Sequence, residues 1–257
     1  MSDFCFESLA IHSEYVKEYN TNILKICDHL PNVPFYCITS HPSEVIKRDN
    51  VIPVPIEKYT DQNFTKSYDT GDGFGPILHA TRFGIKHAYE EGFKKIIHIH
   101  TDFCVRKPDL TEEEISNHFK SGIYYDMGGC FLSSVFQRCG KTKHLVQKYN
   151  LINQLEKIGT GDDPVVFFNF NKDEDSFKEF YLKLEEMIDI WKENNHWSTG
   201  LCTELTLAMY LAGYRSYYNY GGVLHDKVNE TFFDVNLATV GDFFTIYENL
   251  FFNIPRL

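Results

Sequence analysis

A histidine, a threonine and an aspartate directly follow a short apolar segment of the chain, and all three side chains can bind ligands. These residues are His100, Thr101 and Asp102, and the apolar segment at 93–99 predicts a buried strand. Ligands of open α/β sheets bind at the carboxyl ends of the strands, so polar residues at this position are candidates for a binding site. An imidazole and a carboxylate also form a partial ligand set for Mn²⁺ or Mg²⁺.

The spacing of these residues allows two interpretations. Residues two apart in an extended segment point the same way, so we expect His100 and Asp102 to face one ligand together. The alternative is that Asp102 caps the following turn and that His100 is a partly buried histidine with ordinary hydrogen bonds. The three residues taken by themselves leave both interpretations open.

The elements that must position these residues alternate between strands and helices. Helical spacing of apolar residues predicts two helices, and apolar runs predict four strands. The helices are expected at 13–29 and 77–92, and the strands at 4–12, 33–39, 51–56 and 93–99. This alternation is typical of a mainly parallel sheet with helices on its faces.

The second half of the chain has a less regular pattern. It predicts helices at 109–119, 145–158 and 175–191, a loop and helix at 198–213, a strand pair at 122–135, and strands at 165–170 and 217–220. No internal repeat or linker separates the halves. We therefore predict a single α/β domain over residues 1–257, with a mainly parallel central sheet flanked by helices.

Composition and charge restrict the classes of partner. The formal net charge of −11 argues against general attraction to nucleic acid or to an anionic membrane surface. The seven cysteines have no CxxC spacing, so neither a disulfide framework nor a zinc site is indicated. No run of the sequence approaches about 18 apolar residues, and its start lacks the pattern of a signal peptide. We expect a soluble, cytoplasmic protein.

The run GFGPILHATRFGIKHAYEEGFKKIIHIHTD at 73–102 resembles the core of GT-A glycosyltransferases, which have a Rossmann-like fold. In that family a glycine-containing loop, a helix rich in small residues, an apolar strand and a terminal DxD motif follow in this order. The small positions of the pattern are occupied by Gly75, Ala80, Gly84, Ala88 and Gly92. The sequence departs from the motif at His100, where the family has its first acid.

The resemblance implies transfer of a hexose from a nucleoside diphosphate sugar, with UDP as the expected nucleotide, to an acceptor hydroxyl. His100, Asp102 and His225 are the expected ligands of a divalent cation. Because imidazole suits softer metals, Mn²⁺ is favoured over Mg²⁺. Residues 1–105 are expected to bind the nucleotide sugar and residues 106–257 the acceptor.

The resemblance also assigns residues to the donor and to the acceptor. The donor is expected to contact seven residues, namely His12, Thr39, Asp72, Gly73, Gly75, Arg82 and Thr101. Glu204 resembles the acid that acts on the acceptor hydroxyl, and a helix N-terminus can hold such a carboxylate in place. The alternative is that Glu204 is an ordinary first-turn acid. Inversion and retention at the anomeric carbon both stay open.

Two other functions stay open from the sequence. A nucleotidyltransferase acting on a sugar phosphate would use a related fold, but it would have a basic glycine-rich loop after the first strand. An inactive GT-A-like protein that binds a nucleotide or a partner is suggested by His100 in place of an acid. The acceptor and the oligomeric state are unknown, and the negative charge makes a nucleic acid acceptor the less favoured choice.

Overall fold

A seven-stranded sheet forms the centre of the molecule. The computed structural model describes residues 2–56, 75–105, 107, 109–126, 129–138, 140–161, 165–193, 201–218 and 244–246. In spatial order the strands are β10 (Arg215–Tyr218), β6 (Gly122–Tyr125), β9 (Val165–Asn169), β4 (Lys95–Ile99), β1 (Phe4–Leu9), β2 (Phe35–Thr39) and β3 (Val51–Pro55).

Six of these strands run in the same direction. Only β9 is antiparallel to its two neighbours, β4 and β6, within the described sheet. The prediction of an α/β domain with a mainly parallel sheet is therefore confirmed. The sheet contains strands from both 1–105 and 106–257, and the assignment of these halves to donor and acceptor stays a prediction.

Helices cover both faces of the sheet. They are α1 (Ser13–His29), α2 (Gly75–Glu90), α3 (Glu112–His118), α4 (Leu132–Arg138), α5 (Gly140–Lys148), α6 (Glu174–Glu193) and α7 (Leu201–Leu211), with 3₁₀ turns at Pro42–Glu44 and Ile152–Lys157. Side chains of α1 and α3 join the core on one face, whereas α2, α6 and α7 join the core on the other. Among the described residues, no helix is long and apolar enough to cross a membrane.

Two predictions for the second half were wrong. The described residues of 122–135 do not form the expected strand pair, because β6 joins the main sheet, while β7 (Cys130–Phe131) pairs with β8 (Gly159–Thr160) and α4 follows. The expected helix at 145–158 is interrupted, since α5 ends at Lys148 and Asn150 has a φ of 53°. Asparagine tolerates this left-handed conformation better than most residues, and it ends helices for that reason.

Another short sheet extends from the end of β4. It pairs β5 (Phe103–Val105) with β11 (Phe244–Ile246) in antiparallel register. The strand at 244–246 was not predicted. Its partner β5 begins directly after the His-Thr-Asp segment, so the segment lies in a connection held by strands on both sides.

A buried acid and a buried histidine join the two central strands. Glu7 of β1 and His98 of β4 are register partners, and both are 0% exposed. Their hydrogen bond joins Nδ1 of His98 to Oε2 of Glu7 at 2.5 Å. Burial is the larger cause of the raised pKa values of the Cys5 and Cys37 thiols, and the charge of Glu7 raises them further. The bond between Glu7 and His98 gives each of these buried side chains a polar partner inside a mainly apolar core.

Gly84 of α2 lies directly over Glu7. A Cβ atom at this position would be 2.4 Å from Oε1 of Glu7 and 2.8 Å from both Cδ and Cγ. Since Glu7 is fully buried and bonded to His98, its side chain has little room to move. Glycine at this position is required by the close approach of the helix to the strand.

Gly84→Ala is expected to destabilise the protein by about 1–3 kcal/mol, because the added methyl group overpacks the core. Helix propensity alone predicts the opposite sign, a gain of about 1 kcal/mol. Urea unfolding of both proteins measures the difference. In a Glu7→Ala background, where the space is free, the same change should be harmless. A stabilised Gly84→Ala single variant would contradict the packing.

Candidate functional site

The carboxyl ends of three adjacent parallel strands meet at one edge of the sheet. In the order β4-β1-β2, the chain passes from β1 to β2 on one side and later adds β4 on the other. Such a reversal of strand order leaves a crevice outside the carboxyl ends of the two strands involved. The structure brings His12, Thr39 and His100 to this edge, since they follow β1, end β2 and follow β4.

The His-Thr-Asp segment does not continue the extended strand. β4 ends at Ile99, Thr101 and Asp102 form a turn, and the amide of Phe103 donates to the carbonyl of His100 at 3.3 Å. The expectation that His100 and Asp102 share a face by strand alternation was therefore wrong, because that rule holds only in an extended segment. The ring of His100 packs at 90° against the ring of His98, with centroids 5.5 Å apart.

Helix α1, which packs on the face of the sheet opposite α2, holds the turn in place. The hydroxyl of Thr101 donates to Oε2 of Glu18 at 2.8 Å, and its carbonyl accepts from Nδ2 of Asn22 at 3.0 Å. Two residues before Thr101, the carbonyl of Ile99 accepts a hydrogen bond from the hydroxyl of Ser8 on β1. These contacts fix the end of β4 against β1 and α1, so Thr101 is a buried anchor of the turn, with 5% exposure.

Negative charge accumulates where α1 meets the turn. Burial raises the pKa of Glu18, the charges of Asp102 and Glu14 raise it further, and the hydrogen bond from Thr101 opposes the shift. The pKa of Tyr15 is likewise raised, first by burial and then by Glu18, Glu14 and Asp102. Burial is the larger cause of both pKa shifts, and the carboxylates that add to them make this part of the edge negative, which a cation would offset.

The donor atoms at this edge fit a divalent cation that shares its ligands with a phosphate. Mg²⁺-type sites use one or two carboxylates together with substrate phosphates and water, and imidazole suits Mn²⁺. His100 and Asp102, which follow β4, are residues of these two types. Within the described ranges, no three His, Cys, Asp or Glu side chains are grouped as a cation site. The third expected ligand, His225, lies outside the described residues, as do Asp72 and Gly73.

The predicted donor residues on the first two strands differ in accessibility. His12 is exposed in the N-cap position of α1, and its ring lies 5.9 Å from that of Tyr15. Thr39 is 0% exposed, and its hydroxyl accepts from the amide of His41 at 2.9 Å. The structure thus leaves His12 open to a ligand and uses the Thr39 hydroxyl to shape the turn after β2.

Two predicted donor residues lie on α2. Gly75 is the first residue of this helix, which runs back toward the start of β4, so it belongs to the carboxyl edge. Arg82 lies seven residues along, about 10 Å farther on the helix axis. Its guanidinium stacks on Tyr181 of α6 at 4.3 Å and pairs with Glu185 at 3.4 Å. A nucleotide contact by Arg82 would have to replace these interactions and stays a prediction.

Glu204 lies in the first turn of α7 and is 0% exposed. The hydroxyl of Tyr125, the last residue of β6, donates to the carbonyl of Cys202 in the same turn at 2.7 Å. This contact places the start of α7 at the carboxyl end of β6. β6 and β4 end at the same edge of the sheet, two strand spacings of about 4.8 Å each apart, so the first turn of α7 lies at this edge.

Sequence reasoning missed three polar residues that the structure brings to this edge. Glu18 and Asn22 lie on the face of α1 that contacts the turn, and Asn22 is 0% exposed. A polar residue within the apolar stripe of α1 was the available signal for Asn22. Asp126 follows β6 and is also 0% exposed, with His118 Nε2 at 3.4 Å from its carboxylate. The rule that favoured Asp102, a polar residue just past a strand, applies equally to Asp126.

Two solved mannosyltransferase structures are similar to this chain. Core-mannan synthase A (CmsA/Ktr4) from Aspergillus fumigatus, in its Mn/GDP form, is 9% identical with a TM-score of 0.53, over 85% of this chain and 73% of that one. Mannosyltransferase Ktr4p from S. cerevisiae is 9% identical with a TM-score of 0.50, over 82% of this chain. The chain spans 66% of the length of Ktr4p.

These similarities concern the fold. No family model and no curated protein sequence matches the chain. At 9% identity the shared arrangement shows that the chain has the fold of these glycosyltransferases, and the GT-A fold predicted from the run at 73–102 is confirmed. It does not assign individual site residues, which rest on the geometry above.

Replacing Glu18 by Gln is expected to stabilise the protein at neutral pH. The raised pKa of Glu18 means that its ionised form is less stable in the folded chain than in the unfolded chain. The penalty is absent at acid pH, where both states are protonated, and it grows as the pH rises above the ordinary value of 4.5. Partial exposure limits the gain to below about 1 kcal/mol.

Urea unfolding at about pH 4 and about pH 7.5 measures this gain. The stability of Glu18→Gln minus that of the wild type should be near zero at the acid pH and positive at the neutral pH. Glu156→Gln, a change at an exposed acid, is the matched control and should show no difference at either pH. An equal effect of Glu18→Gln at both pH values would contradict the electrostatic origin.

Proposed function

We propose that the protein transfers a hexose from a nucleoside diphosphate sugar to an acceptor hydroxyl. The observation that carries the proposal is the crevice between the carboxyl ends of β1 and β4, because His12 follows β1 and the segment with His100 and Asp102 follows β4. A nucleotide bound to an α/β sheet occupies this crevice. The shared fold of two mannosyltransferases supports the same reading.

Two nucleotides are candidates for the donor. The sequence predicts UDP, whereas the similar structure of core-mannan synthase A is in its Mn/GDP form. We therefore place GDP-sugars, GDP-mannose first, beside UDP-sugars as candidate donors. Exposed His12 and the half-exposed Tyr15, which lie together at the start of α1, are the side chains available to contact the base or ribose.

A divalent cation, Mn²⁺ by our proposal, would be held by His100 and Asp102, with His225 as the expected third ligand. When bound, it would neutralise the charge that develops on the departing diphosphate. The chain's own residues support this arrangement. Thr101 is anchored to α1 on both its hydroxyl and its carbonyl, so the backbone that carries His100 and Asp102 is fixed. The carboxylates of Glu14, Glu18 and Asp102 beside the turn favour a cation and disfavour a bare diphosphate.

Glu204 is proposed to act on the acceptor. An acceptor hydroxyl that attacks an anomeric carbon must lose its proton, and a carboxylate within hydrogen-bond reach can accept it or orient the hydroxyl. The first turn of α7 holds Glu204 at the carboxyl edge, on the side of β6, which leaves the space near β4 for the donor. This division agrees with a donor half at 1–105 and an acceptor half at 106–257.

Transfer of a nucleotide to a sugar phosphate is the alternative reaction. The start of α1, His12-Ser13-Glu14-Tyr15, is acidic where a nucleotidyltransferase would place a basic loop, so that reaction is not favoured.

A cytoplasmic setting is part of the proposal and is supported by the free, buried thiols of Cys5, Cys27 and Cys37. Burial raises the pKa of each of these thiols.

Incubation of the protein with UDP- and GDP-sugars, with and without Mn²⁺, should give metal-dependent transfer or slow hydrolysis of one donor. Release of the nucleoside diphosphate measures both. Pyrophosphate release from a nucleoside triphosphate and a sugar phosphate would indicate nucleotidyl transfer instead. Nucleotide binding without turnover of any donor would indicate an inactive binding protein.

Two substitutions test the assigned roles. Asp102→Asn is expected to weaken Mn²⁺-dependent donor binding about 10- to 100-fold, because a carboxylate ligand is lost. Glu204→Gln is expected to leave donor binding unchanged and to lower turnover by about 10²- to 10⁴-fold. Calorimetry and initial rates separate binding from turnover, and Asp109→Asn, at an exposed position nearby, is the control. Wild-type rates in both variants would show that the site is misassigned.

A further inference from the structure

The buried pair of Glu7 and His98 has no part in the proposed reaction, yet it lies directly beneath the end of β4. The carboxylate of Glu7 bonds to Nδ1 of His98 at 2.5 Å. The His98 ring in turn meets the ring of His100 edge to face, with centroids 5.5 Å apart. A continuous chain of contacts therefore connects a buried carboxylate with a residue of the candidate site.

We propose that Glu7 and His98 form a positioning unit that holds the imidazole of His100 in the orientation required for binding a cation. The proposal rests on the proposed function in its last step, the use of His100 as a ligand. Its first step, the control of the His100 ring by the pair, stands on the geometry alone.

The surroundings of the pair fix the ring of His98. The hydrogen bond between the carboxyl group of Glu7 and Nδ1 of His98 ties the two side chains to each other. The backbone of α2 at Gly84 closes the other side of the carboxylate, since a Cβ at this position would lie 2.4 Å from Oε1 of Glu7. Rotation of either side chain would leave a buried polar group unpaired, which is costly in an apolar core. The His98 ring is therefore held in one orientation.

A fixed His98 ring restricts its neighbour. Edge-to-face contacts between aromatic rings depend on direction, so the perpendicular packing favours one orientation of His100. This matters because His100 follows the end of β4, where the regular strand no longer constrains it. Groups that orient a metal-binding histidine typically change metal affinity 10- to 100-fold. In this protein Glu7 is the orienting group, and it acts on His100 through the imidazole of His98.

Three variants test the proposal. Glu7→Gln keeps an acceptor for His98 Nδ1 and loses the charge. Glu7→Met combined with His98→Leu replaces the whole pair by apolar side chains, a change that buried ion pairs often tolerate without loss of stability. Ile96→Val, at a fully buried position on the same strand and face as His98, is the matched control. Circular dichroism and urea unfolding establish that each variant is folded.

Two measurements are made on each folded variant. Electron paramagnetic resonance of free Mn²⁺, in the presence of GDP, gives the Mn²⁺ affinity. Nitrogen-15 NMR of the histidine rings in metal-free protein, with the His100 signals assigned from a His100→Asn variant, reports the His100 ring without any need for activity.

The double variant is expected to bind Mn²⁺ about tenfold or more weakly and to have shifted His100 signals. Glu7→Gln should stay within about threefold of the wild type, and Ile96→Val should change neither readout. A folded double variant with wild-type Mn²⁺ affinity and unmoved His100 signals overturns the positioning role. Should the double variant not fold, absence of a nuclear Overhauser contact between the His98 and His100 rings in the wild type overturns it equally. A wild type that binds no Mn²⁺ would contradict the proposed function, while the NMR signals still decide the positioning role.

Discussion

The hydrogen bond between Glu7 and His98 joins two fully buried ionisable side chains in the middle of the sheet. Loss of one partner of such a buried pair costs about 3–5 kcal/mol, so the sheet depends on keeping both. Their bond joins β1 to β4, the two strands between which the strand order reverses. It also sets the distance of α2, which can approach only because residue 84 has no side chain.

The candidate site is a consequence of this junction. β1 and β4 are joined on the α2 face by Glu7 and His98, and on the α1 face by the bond from Ser8 to the carbonyl of Ile99. The turn that follows is then held by α1 through Thr101. The polar residues of the edge are therefore fixed before any ligand arrives. The same packing concentrates acids beside the turn, which makes this part of the edge negative.

The sequence predicts features that depend on neighbouring residues better than features that depend on residues far apart in the chain. Helix α1 has the predicted bounds, 13–29, since its periodicity and flanking residues lie within the segment itself. The direction of β9 was not predictable from its apolar run, because direction is decided by pairing with β4 and β6. The partners of Thr101 are 83 and 79 residues away, and those of Glu7 are 91 away. No local pattern contains such pairs. The sequence therefore indicated the polar residues that follow the strands, but not the distant residues that hold them in place.

The central claim is that the crevice between the carboxyl ends of β1 and β4 binds a nucleoside diphosphate through a cation at Asp102. A crystal structure with GDP and Mn²⁺, and a second with UDP and Mn²⁺, tests it most directly. Anomalous scattering identifies Mn²⁺ independently of any assumption about the ligand. We predict an anomalous peak within about 2.2 Å of an Asp102 oxygen, with the diphosphate beside it for at least one of the two nucleotides. A nucleotide bound elsewhere on the molecule, or a Mn²⁺ peak remote from Asp102, would contradict the account.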